Sequence, residues 1–209
     1  MKTALIDHDR ISTAIRDAEK TTTGEIYCVL ARSSSSYFFP SAFVVAVAML
    51  VISAAVVAVL DYRWYEVQAF TLVMAQILAF AAALGVLAAF PNLRIHLVPK
   101  RVRYARAHEN AIKQFLARNV HVTDARTGVL IFVSMAERYA EVVADSGIDA
   151  KVPQAEWNRI VGDLIDAAAS RRLTDGYISA IGAVGALLAA HFPWRPGDRN
   201  ELDDHLVEI

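Results

Sequence analysis

Cysteine is almost missing from this chain: Cys28 is the one thiol in 209 residues, which excludes an internal disulfide and fits a reducing compartment. Familiar catalytic signatures are missing too. There is no phosphate-cradling P-loop and no G-x-S-x-G elbow. "HENAI" at His108 opens like the zinc motif H-E-x-x-H, but Ile112 stands where the second histidine belongs, so a zinc protease is excluded. Cys28 and Arg32 have the wrong separation for a Cys-x5-Arg phosphate loop, and Cys28 lies inside a strand pattern, so it reads as a small core residue. Aromatics interleaved with basic residues are nearly lacking, which leaves no nucleic-acid role. Near Met1 there is neither a basic n-region nor a small-residue cleavage pattern, and we expect an uncleaved N-terminus.

Charge is the next absence, and it is local. "FFPSAFVVAVAMLVISAAVVAVL", residues 38–60, and "VQAFTLVMAQILAFAAALGVLAAF", residues 67–90, contain no charged side chain. At about 1.5 Å per helical residue each run reaches about 35 Å, enough to cross a hydrocarbon core of about 30 Å. Two such runs in succession are hard to bury inside a small protein, so both are expected to span a membrane. The six-residue connector "DYRWYE" brings the second helix back beside the first and places Tyr62, Trp64 and Tyr65 at the membrane–water boundary. After the second run come Arg94, Lys100, Arg101, Arg103, Arg106 and Lys113, whereas the connector has Arg63 beside two acids. Both termini are therefore expected on the cytoplasmic side. The basic neck suffices as a topology signal; as a surface, each Lys or Arg would be drawn to anionic head groups by about 1 kcal/mol. Gln76 and Ser53 fall near mid-depth, where they can hydrogen-bond between the helices or to a partner.

What remains is a soluble portion in two pieces. "DHDRISTAIRDAEK" reads as an amphipathic helix capped by Asp7 or Asp9, with Ile11, Ala14, Ile15 and Ala18 on one stripe. "EIYCVLA" is apolar on both faces, as a strand covered on both sides must be. Beyond the membrane, Pro99 opens a helix with Val102, Ala105, Ile112, Phe115 and Leu116 near helical spacing, ending at Asn119. "GVLIFVS" and "YAEVVAD", linked by "MAER", form an antiparallel hairpin. Two helices follow, one with a stripe of Trp157, Ile160, Val161, Leu164 and Ile165, the other with Ile178, Ile181, Leu188 and His191 near one side. The latter is too short and too Gly-rich for a third span and is taken as a core helix that Pro193 ends. Residues 193–209 read as a polar, turn-rich tail without regular structure.

A strand, crossover helix, strand connection makes the strands at Glu25 and Gly128 parallel, with the next strand antiparallel. The expected fold is α/β: a small mixed sheet flanked by helices, interrupted by a two-helix transmembrane hairpin. Residues 1–35 and 99–192 then make one discontinuous domain. "TTTGEIYCVLARS", "TDARTGVLIFVSMAERYAEVVADSGIDAKVP" and the Trp157 helix resemble the TPM domain, the phosphatase-like α/β domain of thylakoid photosystem-repair proteins and of an auxiliary subunit of animal acetylcholine receptors. Thr23, Gly24, Glu25, Asp124, Gly128, Arg138 and Gly147 match its pattern in kind. The resemblance implies a three-layer sandwich and, with the hairpin, an integral-membrane variant in a bacterial inner membrane.

The topology also has a chemical consequence. An antiparallel hairpin puts the start of its first strand and the end of its second at one sheet edge, where the parallel first strand also begins. Glu25, Asp124 and Asp145 are expected to converge there, with Asp149 nearby, an oxygen-rich set suited to a hard cation such as Ca²⁺ or Mg²⁺. The resemblance implies divalent-metal binding in this region and, for some similar domains, acid phosphatase activity. Two departures thin that pattern: Thr127 precedes Gly128 where similar domains often carry an acid or amide, and the loop after the last strand is reduced to "DSGIDAKVP". The plainer reading is that Asp124 and Asp145 are strand-end and turn residues, Asp145 supporting the Ser146-Gly147 turn. The reading favoured is a non-enzymatic binding or accessory module for a membrane complex, with the bilayer and a membrane protein as partners; the alternative is a membrane-held, metal-dependent phosphatase.

Overall fold

The computed structural model describes residues 6–66, 68–123, 126–196 and 200–209. The chain divides into two compact units, one of residues 1–34 and 104–209 and the other of residues 35–103.

The first unit is built on a mixed sheet of β1 (Ile26–Ala31), β2 (Val129–Ser134), β3 (Tyr139–Ala144) and β4 (Leu206–Glu208), in the order β3-β2-β1-β4. β1 and β2 run parallel and β2 and β3 antiparallel, as expected from the crossover and the short turn. All six residues of β1 and of β2 are buried. Alternation divides them between two cores. Ile26, Cys28, Leu30, Val129, Ile131 and Val133 join one face, which is covered by α1 (His8–Glu19), α7 (Gln154–Ala169) and α8 (Leu173–His191). Tyr27, Val29, Leu130 and Phe132 join the other, under α5 (Lys100–Ala117), the crossover helix. The result is a three-layer α/β sandwich.

Local chemistry sets the helix ends. Asp7 is the N-cap of α1, its side chain accepting from Arg10 N at 3.1 Å. Helix α1 packs closely on α8 because Gly185 has no side chain; a Cβ there would come within 2.7 Å of Ala18 Cβ. Tyr177, fully buried on α8, donates its hydroxyl to the Val29 carbonyl at 2.8 Å, and burial pushes that phenol well above its ordinary pKa.

Three features differ from the sequence reading. The tail is not irregular throughout: β4 adds a parallel edge strand to β1, with Cys28 opposite Leu206 and Leu30 opposite Glu208. On α5 the buried stripe is Ala107, Ala111 and Phe115, while Val102 and Leu116 are exposed, because alanines let the helix axis approach the sheet. On α8, His191 is exposed, and the buried face runs through Tyr177, Ile181, Val184 and Leu188.

The second unit contains α2 (Phe38–Tyr62), α3 (Ala69–Ala89) and the short α4 (Pro91–Leu97). α2 and α3 form a hairpin with scarcely any buried surface: Ser41 is the buried residue of α2 and Leu87 that of α3. Gln76 Nε2 donates to Ser53 Oγ at 3.0 Å, joining the two helices near their middles. Three helices of the described residues, α2, α3 and α8, have the length and apolar composition needed to cross a membrane. α8 nevertheless places eight residues in the interior of the first unit.

Candidate functional site at the sheet edge

The site begins where β1 and β2 begin and β3 ends. Val129 N donates to the Glu25 carbonyl at 2.8 Å, and Asp145 N donates to the Gly128 carbonyl at 2.9 Å. Glu25, Gly128 and Asp145 therefore stand in one row across three strands. Gly128 is required by its surroundings, since a Cβ would lie 2.0 Å from the Val120 carbonyl oxygen. That notch admits the backbone of the α5–β2 connection between two carboxylate-bearing positions.

The surrounding loops are tied to the same edge. Thr127, fully buried, donates its hydroxyl to the Thr23 carbonyl at 3.3 Å, and its amide donates to Thr123 Oγ1 at 3.0 Å. Gly147 N donates to the Arg126 carbonyl at 3.1 Å. Thr23, Glu25, Thr127, Gly128, Asp145 and Gly147, scattered over 125 positions of sequence, thus meet in one place. Thr127, which reads as a departure in the sequence, is held to the segment that leads into β1, the strand that precedes the α2–α3 hairpin.

Both described carboxylates are nearly buried, Glu25 at 5% and Asp145 at 6% exposure. Asp145 is the N-cap of α6 (Ser146–Asp149), its Oδ1 accepting from Ser146 N at 2.6 Å and from Ser146 Oγ at 3.1 Å. The turn-supporting role foreseen for Asp145 is therefore real. Its second oxygen, Oδ2, is buried with no hydrogen-bond partner among the described residues, and a buried carboxylate oxygen in that state is costly unless a cation or proton satisfies it. Glu25 Oε1 accepts from Glu201 N at 3.2 Å, which ties the tail to the edge. Asp124 lies outside the described residues. Among the described residues no group of three or more His, Cys, Asp or Glu side chains is arranged to hold a metal ion. The edge therefore joins Glu25 and Asp145 to the same row, and the described residues alone do not complete a ligand cage.

Sequence reasoning missed Glu19. At the end of α1, its Oε1 accepts from Ile26 N at 2.8 Å, and its pKa is pushed up to about 9 by burial first, with Glu25 and Asp204 adding like-charge repulsion. The shift favours the protonated carboxyl, and a hydrogen bond with Asp204 works in the same direction. A glutamate on the polar flank of an amphipathic helix gives no sequence signal of this; only the docking of the tail makes its surroundings carboxylate-rich. Cys28 is fully buried, and burial raises its thiol pKa far above the range in which a thiolate forms, which rules it out as a nucleophile.

Comparison with known proteins agrees with this architecture. Residues 90–187 match the family model of the TPM domain. The fold is similar to that of the BA42 protein from the psychrophilic bacterium Bizionia argentinensis, solved by NMR, with a TM-score of 0.60, 18% identity, and coverage of 100% of this chain and 99% of that one. No curated protein matches the chain.

Proposed function

We propose that this chain, whose residues 90–187 match the TPM domain, is a membrane-anchored binding module: α2 and α3 cross a bacterial inner membrane as a hairpin, both termini are cytoplasmic, and the domain docks on a membrane protein complex in a cation-responsive way. The observation that carries this reading is the buried Asp145 Oδ2, which has no hydrogen-bond partner among the described residues, in the same row as Gly128. A hard divalent cation, Ca²⁺ or Mg²⁺, is the species that carboxylate and carbonyl oxygens in such a place suit. Asp145, Glu25 and Asp124 are its proposed protein ligands. The cation would neutralise the carboxylates of the edge and so complete the surface offered to a partner.

The phosphatase alternative has no nucleophile to name, with the one thiol inert in the core. Calorimetric titration of the detergent-solubilised chain with Ca²⁺ and Mg²⁺, beside the Asp145→Asn and Asp124→Ala variants, tests the reading. Saturable binding that each substitution weakens at least tenfold, without metal-dependent hydrolysis of a phosphomonoester, is the expected result. Metal-dependent turnover abolished by Asp124→Ala would replace the binding module by the enzyme, and an absence of binding would remove the cation response.

A further inference from the structure

Between Glu66 and Glu109 the sequence has no acidic residue, yet Arg94, His96, Lys100, Arg101, Arg103 and Arg106 all fall there. Of these, the arginines and lysine that belong to the second unit, Arg94, Lys100, Arg101 and Arg103, all follow α3 in the chain. Arg94, on α4, folds back to donate from Nε to the Leu87 carbonyl at 2.6 Å and from Nη2 to the Ala88 carbonyl at 3.0 Å. Its guanidinium also lies 5.3 Å from the Phe38 ring centroid. Arg94 thus caps the last turn of α3, where a cation is favoured by the helix dipole, and is already used.

The next three cations are not. Lys100, Arg101 and Arg103 occupy the first turn of α5, which contains no acid. Lys100 and Arg101 are exposed, and none of the three pairs with a carboxylate among the described residues, whereas Arg106 has Glu109 at 3.0 Å. Arg103 Nε is buried with no hydrogen-bond partner among the described residues. Cations in a first helical turn oppose the dipole rather than complement it, so this stretch holds uncompensated positive charge from two sources. Glu66 lies in the connector at the opposite end of the hairpin and offers no relief. Just ahead of these cations in the chain, Phe90 and Leu93 are 62% and 42% exposed, so the segment combines apolar and basic side chains as interfacial segments do.

We propose that residues 90–103 form a binding surface for anionic phospholipid, with Lys100, Arg101 and Arg103 meeting the headgroup phosphates and Phe90 and Leu93 entering the acyl boundary. The topology role of these charges needs no contact; this proposal requires selective retention of lipid, and it rests on α2 and α3 spanning a membrane.

The full chain, stripped of lipid in a neutral detergent, is titrated with phosphatidylglycerol or phosphatidylcholine of the same acyl chains, and bound lipid is counted by native mass spectrometry. Three cations at about 1 kcal/mol each give an expected preference for phosphatidylglycerol on the order of a hundredfold. K100Q/R101Q/R103Q loses that preference with an unchanged circular dichroism spectrum, and millimolar inorganic phosphate does not displace the lipid. Should the triple variant misfold, K100Q/R101Q, changed at exposed positions only, loses most of the preference. Equal retention of both lipids, an undiminished preference in the variants, or displacement by free phosphate overturns the proposal. A chain that leaves washed membranes in alkaline carbonate without detergent refutes the spanning reading and this proposal together; one that needs detergent yet takes both lipids equally refutes the proposal alone.

Discussion

α8 and α2 are both long, apolar helices, and they are used in opposite ways. On α8, Ile181 and Val184 are fully buried against the sheet. On α2, Val51 and Ile52 are both more than 60% exposed. What separates them is the pattern: α8 carries Asp175 in its first turn, exposes Ser179 and keeps its apolar residues on the face turned to the sheet, whereas α2 is apolar all round and has Ser41 as its buried residue. The first unit hides its hydrophobic surface in protein; the second leaves its own exposed, on helices long and apolar enough to cross a membrane.

The largest expected effect breaks this comparison directly. Ile181→Ala removes packing atoms from a filled core and should cost about 2–5 kcal/mol, while Ile52→Ala, which leaves no cavity in protein, should stay within about 0.5 kcal/mol. Denaturation of the full chain in detergent, followed through buried Trp157 after replacing Trp64 and Trp194 by Phe, reads both. Similar losses from the two substitutions would mean that the hairpin is buried against protein.

The two units were also unequally legible in the sequence. The hairpin was plain because two charge-free runs of spanning length have few other destinations, and the parallel β1–β2 pair followed from the crossover between them. The edge strand β4 was not, because its three residues are flanked by Asp203, Asp204 and His205 and pair only once β1 is in place. The candidate site divided in the same way. Topology alone put Glu25 and Asp145 on one edge, since their backbones follow from strand direction. Glu19 entered the neighbourhood through side-chain burial and a returning tail, and neither leaves a periodic trace in sequence.

That hidden residue gives the second prediction, which sharpens the account of the first unit. The folded-state pKa of Glu19, about 9, lies above its ordinary value of 4.5, so the native state holds a proton that the unfolded chain releases. Its contribution is fully present below about pH 4.5 and is lost as pH rises through about 9. Part of the side chain retains solvent contact, which reduces the effect. Glu19→Gln keeps an oxygen for Ile26 N and removes the titration. The variant should outlast the parent by more than about 1 kcal/mol at pH 9, with little difference at pH 5, in denaturant melts across that range. A parallel pH dependence of the two chains would show that the tail does not bury this carboxyl in solution.

The smallest effect belongs to the second unit and tests whether polarity binds the hairpin. Ser53 Oγ donates to the Met49 carbonyl at 2.7 Å while accepting from Gln76, so Gln76→Leu leaves the serine hydroxyl hydrogen-bonded and no orphan on α2. The lost interhelical bond is worth about 0.6 kcal/mol on the average for such pairs. Leucine recovers a similar amount in transfer to the hydrocarbon, which makes the single substitution nearly silent. The coupling must therefore be read from a cycle of Ser53→Ala, Gln76→Leu and the double variant, by the free energy of separating α2 from α3 in bicelles. A coupling near 0.6 kcal/mol, with the Trp157 melt of the first unit unmoved, places the pair inside the hairpin. Zero coupling would mean that lipid and interfacial residues alone set the helix pairing, and a shifted melt would mean that the units share stability.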